Sequence, residues 1–277
     1  MSPDEYCQQK AASSGSSFYY SFLFLPPERR RAITALYAFC REVDDVVDEG
    51  MEPHVAESKL AWWRAEVANF SAGKPQHPVT KALSVFKDQF SISGERLNEI
   101  IDGMEMDLRQ TRYLDWAALE TYCYRVASVV GLLAASIFGY RDARTLDYAK
   151  NLGIAFQLTN IIRDVGEDAR KNRVYLPIED LQRFAVPASD ILQAKESPSF
   201  RSLMEFEAER ARGFYQSAMS VLPDADRRAQ RPGLIMAAIY RTLLEEIQRD
   251  GFRVLTQRTS LTPLRKFWIA WRTWVTA

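Results

Sequence analysis

Apolar residues recur at three- and four-residue spacings through most of the 277-residue chain, and glycine is too sparse to interrupt them. Together these two features constrain the fold most. A 3.6-residue period buries one face of a helix, while tight strand-to-strand turns call for glycine. The twelve glycines are scattered, the nearest two being Gly131 and Gly139. GxGxxG, the Walker loop and GxSxG are therefore absent, which excludes Rossmann dehydrogenases, P-loop NTPases and hydrolases of the nucleophile-elbow type. The expectation is an all-α fold with helices at 28–49, 54–71, 76–90, 93–111, 115–138, 142–169, 199–221, 226–250 and 261–275. Pro26-Pro27 precedes the first, Gly50 and Pro53 end it, and Gly251 after Asp250 reads as a C-cap. Pro177, Pro187 and Pro198 make 170–198 the most irregular connection, but no low-complexity linker divides the chain, so residues 1–277 are read as a single domain.

Charge and soft ligands narrow the chemistry. Lys+Arg and Asp+Glu are each 36, so there is no basic field of the kind that draws nucleic acid. Cys7, Cys40 and Cys123 are far apart and odd in number, which suits buried thiols in a reducing compartment. His54 and His77 are too few for a His-based zinc site, leaving carboxylates to hold any catalytic metal. Asp4, Glu5 and Lys10 do not read as a signal peptide. The apolar run from Val126 to Tyr140 carries Ser128 and Ser136 and is shorter than the roughly 20 residues of a bilayer span. It reads as a buried core helix, and a cytoplasmic protein is expected.

Two helices carry polar residues where a packed helix should not. Tyr37, Arg41, Asp44 and Asp48 follow one another at spacings of 4, 3 and 4 and share one face. Gln157, Asn160, Asp164 and Asp168 do the same at 3, 4 and 4, among Ile154, Phe156, Leu158, Ile161, Ile162 and Val165. Alone, the first stripe reads as a solvated acidic helix end, although its charge opposes the helix dipole. The second is harder to dismiss, because unpaired carboxylates in apolar surroundings are costly. Facing each other, the stripes would concentrate at least four carboxylates that cannot all ionise without cations. Hard oxygen ligands of this kind select Mg²⁺, which prefers to share a phosphate. The two stripes together point to a diphosphate–Mg²⁺ site.

These segments resemble the squalene/phytoene synthase family of head-to-head prenyl transferases. The resemblance is carried by Ser16–Phe22, Tyr37–Asp48, Tyr122–Ala127, Gln157–Asp168 and Asn172–Pro177, in that order along nearly the whole chain. A lone DxxxD would be weak, but two in this setting are specific. Within the family, Phe18–Pro26 most resembles the hopanoid-pathway enzymes that make presqualene diphosphate. The resemblance implies an all-α class I terpenoid synthase fold with a central apolar cavity, two farnesyl diphosphates as substrate, Mg²⁺ (or Mn²⁺) as cofactor, and no NADPH. It places Asp44, Asp48, Asp164 and Asp168 on the metal. Ser17, Tyr37, Arg41, Gln157, Asn160, Arg163, Arg173, Tyr175, Tyr240 and Arg258 fall around the diphosphates. Phe18, Phe22, Val126, Ala127, Val130 and Leu158 become cavity wall, and Tyr122 assists proton removal, directly or by relay to released diphosphate.

The same resemblance leaves rivals: squalene, dehydrosqualene or phytoene synthesis on the same fold, and a non-catalytic adaptor, against which both intact aspartate stripes argue. In the last helix, Trp268, Trp271 and Val275 share a face with Leu264, and Arg265, Lys266 and Arg272 add positive charge. This pattern suits either a helix docked on the protein's own core or peripheral contact with a membrane, where a downstream enzyme of the same pathway would receive the product.

Overall fold

The computed structural model describes residues 1–13, 21, 22, 24–48 and 52–277, leaving aside the side chain of residue 48. Among these residues there is no β-strand, and one isolated bridge joins Arg112 to Val174. The long helices are α1 (Pro3–Ser13), α2 (Pro27–Asp48), α3 (Pro53–Ser71), α5 (Gly94–Arg109), α8 (Arg144–Arg170), α11 (Pro198–Val221), α13 (Arg231–Arg249) and α14 (Pro263–Thr276). Between them lie shorter pieces: α4 (Pro78–Ser84), α6 (Trp116–Cys123), α7 (Val129–Phe138), α9 (Ile178–Arg183), α10 (Ala188–Leu192) and α12 (Asp224–Arg227).

The helix expected at 76–90 stops at Ser84. Its apolar period continues through the stacked rings of Phe86 and Phe90, but bonds such as Phe86 N–H to Leu83 O turn the chain more tightly than an α-helix. The helix expected at 226–250 is two pieces, α12 and α13. Pro232 stands in the first turn of α13, where its missing N–H is tolerated and the preceding residues are disfavoured as continuous helix. Pro177 and Pro187 act as N-caps of α9 and α10, so the irregular connection contains two short helices.

From α6 to α7 the chain is helical without a break, but Tyr124–Ser128 forms a π-helical turn. The 23 residues from Trp116 to Phe138, close to the helix expected at 115–138, are long and apolar enough to cross a membrane by length and composition, which the uncharged run starting at Val126 did not suggest. Half of its most apolar stretch is buried inside the protein. Neighbouring glycines let other helices close on the π turn. A Cβ at Gly103 of α5 would lie 2.6 Å from Val126, and one at Gly153 of α8 would lie 2.5 Å from Ser128. Gly103 is thus explained by helix approach.

Two buried apolar clusters form. One gathers α2, α3, α5 and α7 around Leu36, Phe39, Phe70 and Leu97. The other gathers α8, α11 and α13 around Ile154, Leu158, Tyr215 and Ile235. Val126, on the π turn, packs against both. Capping bonds hold the ends: Asp226 accepts from Arg141 N–H at 2.9 Å, Asp142 N–H at 3.0 Å and Thr145 Oγ1 at 2.7 Å, tying α12 to the start of α8. Gln230 donates to the carbonyls of Ala135 and Gly139, closing the C-terminal end of α7. All three cysteines are free thiols.

Candidate active site

A cavity of about 600 Å³ runs between the two clusters. Its rim is polar and its depth apolar, because the helices that line it each change character along their length. On α8 the lining passes from Asp168 and Asp164 through Asn160, Gln157 and Phe156 to Gly153, Leu152 and Ala149. At 1.5 Å per residue, Asp168 to Ala149 is about 28 Å. On α2 it passes from Asp44 and Arg41 through Tyr37 to Ile33. The two polar stripes therefore face one end of the same cavity.

Of the residues singled out from sequence, Phe22, Tyr37, Arg41, Asp44, Tyr122, Gln157, Asn160, Arg163, Asp164, Asp168, Arg173, Tyr175, Tyr240 and Arg258 all line this cavity. Ser17 and Phe18 lie outside the described residues, as does the side chain of Asp48. Among the apolar walls, Val126, Ala127 and Val130 line the cavity. Leu158 does not: it is 1% exposed and packs in the α8 cluster, because it sits on the helix face turned away from Gln157 and Asp164.

At the rim, carboxylates are paired with guanidinium groups. Arg41 bonds Asp44 at 2.6 Å and Asp45 at 2.5 Å. Arg163 holds both carboxylate oxygens of Asp164, its Nε lying 2.7 Å from Oδ1, and bonds the Tyr240 hydroxyl. Arg258 reaches Asp164 at 2.8 Å and Glu167 at 2.9 Å. It arrives from the segment after α13, which crosses α8 at Gly166: a Cβ there would lie 2.3 Å from the Leu255 carbonyl, and Gly166 N–H donates to Val254 O. Burial works against charge on Asp164, but Arg163 and Arg258 outweigh it and hold the carboxyl below its usual range. Asp168 goes the other way. Burial, then the charge of Asp164, push it up to about 7 in spite of Lys171 and Arg173. Beside them the Asn160 Oδ1 is buried without a hydrogen-bond partner, while its Nδ2 donates to Gln157 at 3.3 Å.

Below the rim stands a group that sequence reasoning missed. Asp107 of α5 lines the cavity and accepts from Tyr122 Oη at 2.8 Å on one oxygen and from Tyr175 Oη at 2.7 Å on the other. The Tyr122 and Tyr175 rings stack at 5.3 Å. Burial and the Asp107 charge raise both phenols above their ordinary range. On its helix Asp107 follows Asp102 and Glu105, so it does not stand out as a polar exception in the sequence. Its one local signal is Gly103 a turn earlier, which marks where the π turn carrying Val126 comes close. Glu167 and Lys171 also line the rim unassigned from sequence, as does Lys266, which the sequence marks only as one of the charges of the last helix.

The family profile for squalene/phytoene synthases matches residues 11–265, almost the whole chain. The chain belongs to the squalene/phytoene synthase family. It is 36% identical over 266 residues to the chloroplastic phytoene synthase of an Oncidium hybrid cultivar, a match covering 94% of this chain and 65% of that relative's length. Among solved structures it is similar to a dehydrosqualene synthase in complex with ligand, with a TM-score of 0.88, 29% identity, and coverage of 99% of this chain and 96% of that one. It is also similar to the squalene synthase HpnC from Alicyclobacillus acidocaldarius, at TM-score 0.81, 26% identity, and coverage of 90% and 94%. The all-α isoprenoid synthase fold is thus shared along its length, and family members are prenyltransferases acting on prenyl diphosphates.

Proposed function

We infer that this protein joins two allylic prenyl diphosphates head to head in a Mg²⁺-dependent reaction. The observation that carries the reading is that both polar stripes line one end of a cavity whose lining along α8 runs about 28 Å in all, turning apolar from Phe156 to Ala149. The rim offers donors suited to a divalent cation shared with diphosphate, although among the described residues no three carboxylates gather into a ready-made ligand set. The donors are hard oxygens, the Asn160 carbonyl is unpartnered, and burial, then the charge of Asp164, pushes Asp168 up to about 7. Asp44, Asp48, Asp164 and Asp168 would hold the metal, with Mn²⁺ as a substitute, and a bound ion supplies Lewis-acid neutralisation of the departing diphosphate.

The chain's own groups account for the remaining work. Arg41, Arg163 and Arg258 are the internal counter-ions of these carboxylates, and when substrate enters they can exchange carboxylate for phosphate oxygens, which guanidinium suits equally. Carbon–oxygen cleavage leaves an allylic cation and free diphosphate. The C2–C3 double bond of the second substrate attacks the cation, and loss of one proton closes a cyclopropane. Tyr122 Oη receives that proton as its own hydroxyl proton passes to Asp107, 2.8 Å away. Phe22, Val126, Val130 and Phe156 keep water from the cation.

Two substrate readings remain, each with its support. The resemblance of Phe18–Pro26 to hopanoid-pathway enzymes favours two farnesyl diphosphates and a reaction that stops at presqualene diphosphate without NADPH, and the similarity to a squalene synthase supports the squalene branch of the family. The 36% identity to a phytoene synthase favours two geranylgeranyl diphosphates and phytoene. So does the far half of the cavity, which Ala134, Ala135 and Ala149 line with small side chains. Competition between the C15 and C20 diphosphates, with the lipid product identified by mass spectrometry, separates them. Both readings make substrate tail and product lipids, so peripheral contact with a membrane surface belongs to the same proposal.

A further inference from the structure

Helix α14 has two apolar faces. The inner face, Lys266, Ile269, Ala270, Thr273 and Trp274, docks beside α13: Ile269 and Ala270 are buried, and Trp274 stacks on Phe24 at 5.0 Å under the Arg231 guanidinium. The outer face repeats at 264, 267, 268, 271 and 275, the i, i+3, i+4, i+7, i+11 pattern of a second stripe. There Leu264 is 83% exposed, Phe267 50%, Trp268 54%, Trp271 51% and Val275 62%. Among the described residues these are five of the twelve exposed large apolar side chains, gathered on one helix of fourteen residues. Scattered exposed apolar residues are ordinary, but a contiguous aromatic patch of this kind marks a contact surface.

Charge identifies the occupant. Residues 251–277 hold five cations and no acidic residue; Arg253, Arg258 and Arg265 pair with Asp250, Asp164 and Glu246, and among the described residues Lys266 and Arg272 make no ion pair. Arg272 lies over the Trp268 ring at 5.4 Å, at the edge of the exposed stripe. A protein groove could meet the apolar stripe, but tryptophan rings half out of water beside guanidinium groups match the boundary between acyl chains and anionic headgroups. Position adds a third argument. Arg258, Thr259, Ser260, Leu261 and Lys266, the segment leading into α14 and its first inner turn, line the cavity rim, and Arg258 is half exposed there. The stripe therefore flanks the end of the cavity that opens outward.

We propose that the outer face of α14, through Leu264, Phe267, Trp268, Trp271 and Val275, seats the protein on an anionic lipid bilayer, with the cavity rim beside the headgroups. The surface stands on its own observations; only its use, exchanging prenyl lipids with the bilayer, rests on the prenyl-diphosphate reading. A helix lying in the interface this way binds reversibly, with apolar burial and headgroup attraction adding together.

The test is co-sedimentation of the full chain with phosphatidylcholine vesicles, with and without phosphatidylglycerol, over a salt series. Binding is expected on the anionic vesicles, falling as salt rises. Trp268→Ser with Trp271→Ser should lower it about a hundredfold, since each large side chain withdrawn from water contributes about a decade. Neither residue lines the cavity, so turnover of detergent-dispersed prenyl diphosphate should be unchanged in that variant, which also shows that it is folded. Lack of turnover in both proteins would count against the enzymatic reading and leave the surface testable by binding. Failure of the wild type to bind anionic vesicles, or equal binding by the variant, would overturn the proposal. So would a concentration-dependent dimer abolished by the same substitutions, which would give the face to a second copy.

Discussion

Asp107 is placed to take up a proton because, among the described residues, it accepts hydrogen bonds from two phenols at once. A phenol whose pKa is raised cannot hold a substrate proton unless it gives its own away, and Asp107 is the acceptor at hand. Asp107→Asn and Tyr122→Phe should each lower turnover by about 10²–10³-fold with little change in substrate affinity, the range typical of a lost acid–base group. The double variant should be no slower than either single one, because the two act as a unit. Multiplying losses in steady-state kinetics would separate Tyr122 from Asp107 and send its proton to the released diphosphate. Asp164 belongs to a different step. Asp164→Asn removes the partner of Arg163 and Arg258 along with a metal ligand, so turnover should fall by about three decades or more. The helical circular dichroism signal should persist, and Mg²⁺ titration should no longer saturate in the wild-type range.

At the scale of elements, placement of the rim depends on close crossings. Gly166→Ala puts a methyl into the Leu255 carbonyl and must displace the segment bearing Arg258. The expected cost is about 1–3 kcal/mol in thermal unfolding, with a raised KM for the diphosphate substrate. An unchanged KM would mean that Arg258 does not depend on this crossing. A second element-scale prediction concerns pH. In α11, Glu207 is 1% exposed, with Arg210 at 2.7 Å bridging to Asp180. Burial pushes Glu207 up to about 7, Arg210 offsetting it in part. The unfolded chain releases this proton near 4.5 and the folded one near 7, so Glu207 favours folding at low pH, and that contribution is lost as pH rises across this window. Glu207→Gln should flatten the slope of unfolding free energy against pH there; an unaltered slope would place its origin elsewhere.

These elements also show what was legible in the sequence. Long amphipathic helices announce themselves because tertiary packing needs the apolar face that periodicity reveals, and both aspartate stripes stand out as exceptions to it. Helix α1 escaped because only Cys7 on it is buried, so no period exists to read. The π turn at Tyr124–Ser128 leaves no mark of its own. It follows from Gly103 and Gly153 meeting it from two sides, contacts between residues far apart in the chain. Asp107 was missed for the same reason: its partners Tyr122 and Tyr175 come from other elements.

At the scale of the whole molecule, both polar stripes meet at one end of a cavity whose remaining walls exclude water. An architecture of this kind should lose function as a unit when the metal is withheld: chelation of divalent cations should abolish turnover, and Mg²⁺ should restore it, with Mn²⁺ as a weaker substitute. The most direct test of the central claim is to incubate the purified chain with farnesyl or geranylgeranyl diphosphate and Mg²⁺, without NADPH, and to determine product mass and released diphosphate together. The account predicts a lipid with twice the carbon count of the substrate. One diphosphate should be released per two substrates if the reaction stops at the cyclopropyl diphosphate, and two if it proceeds to phytoene. A product with the carbon count of a single substrate, such as the free prenyl alcohol, would contradict head-to-head condensation.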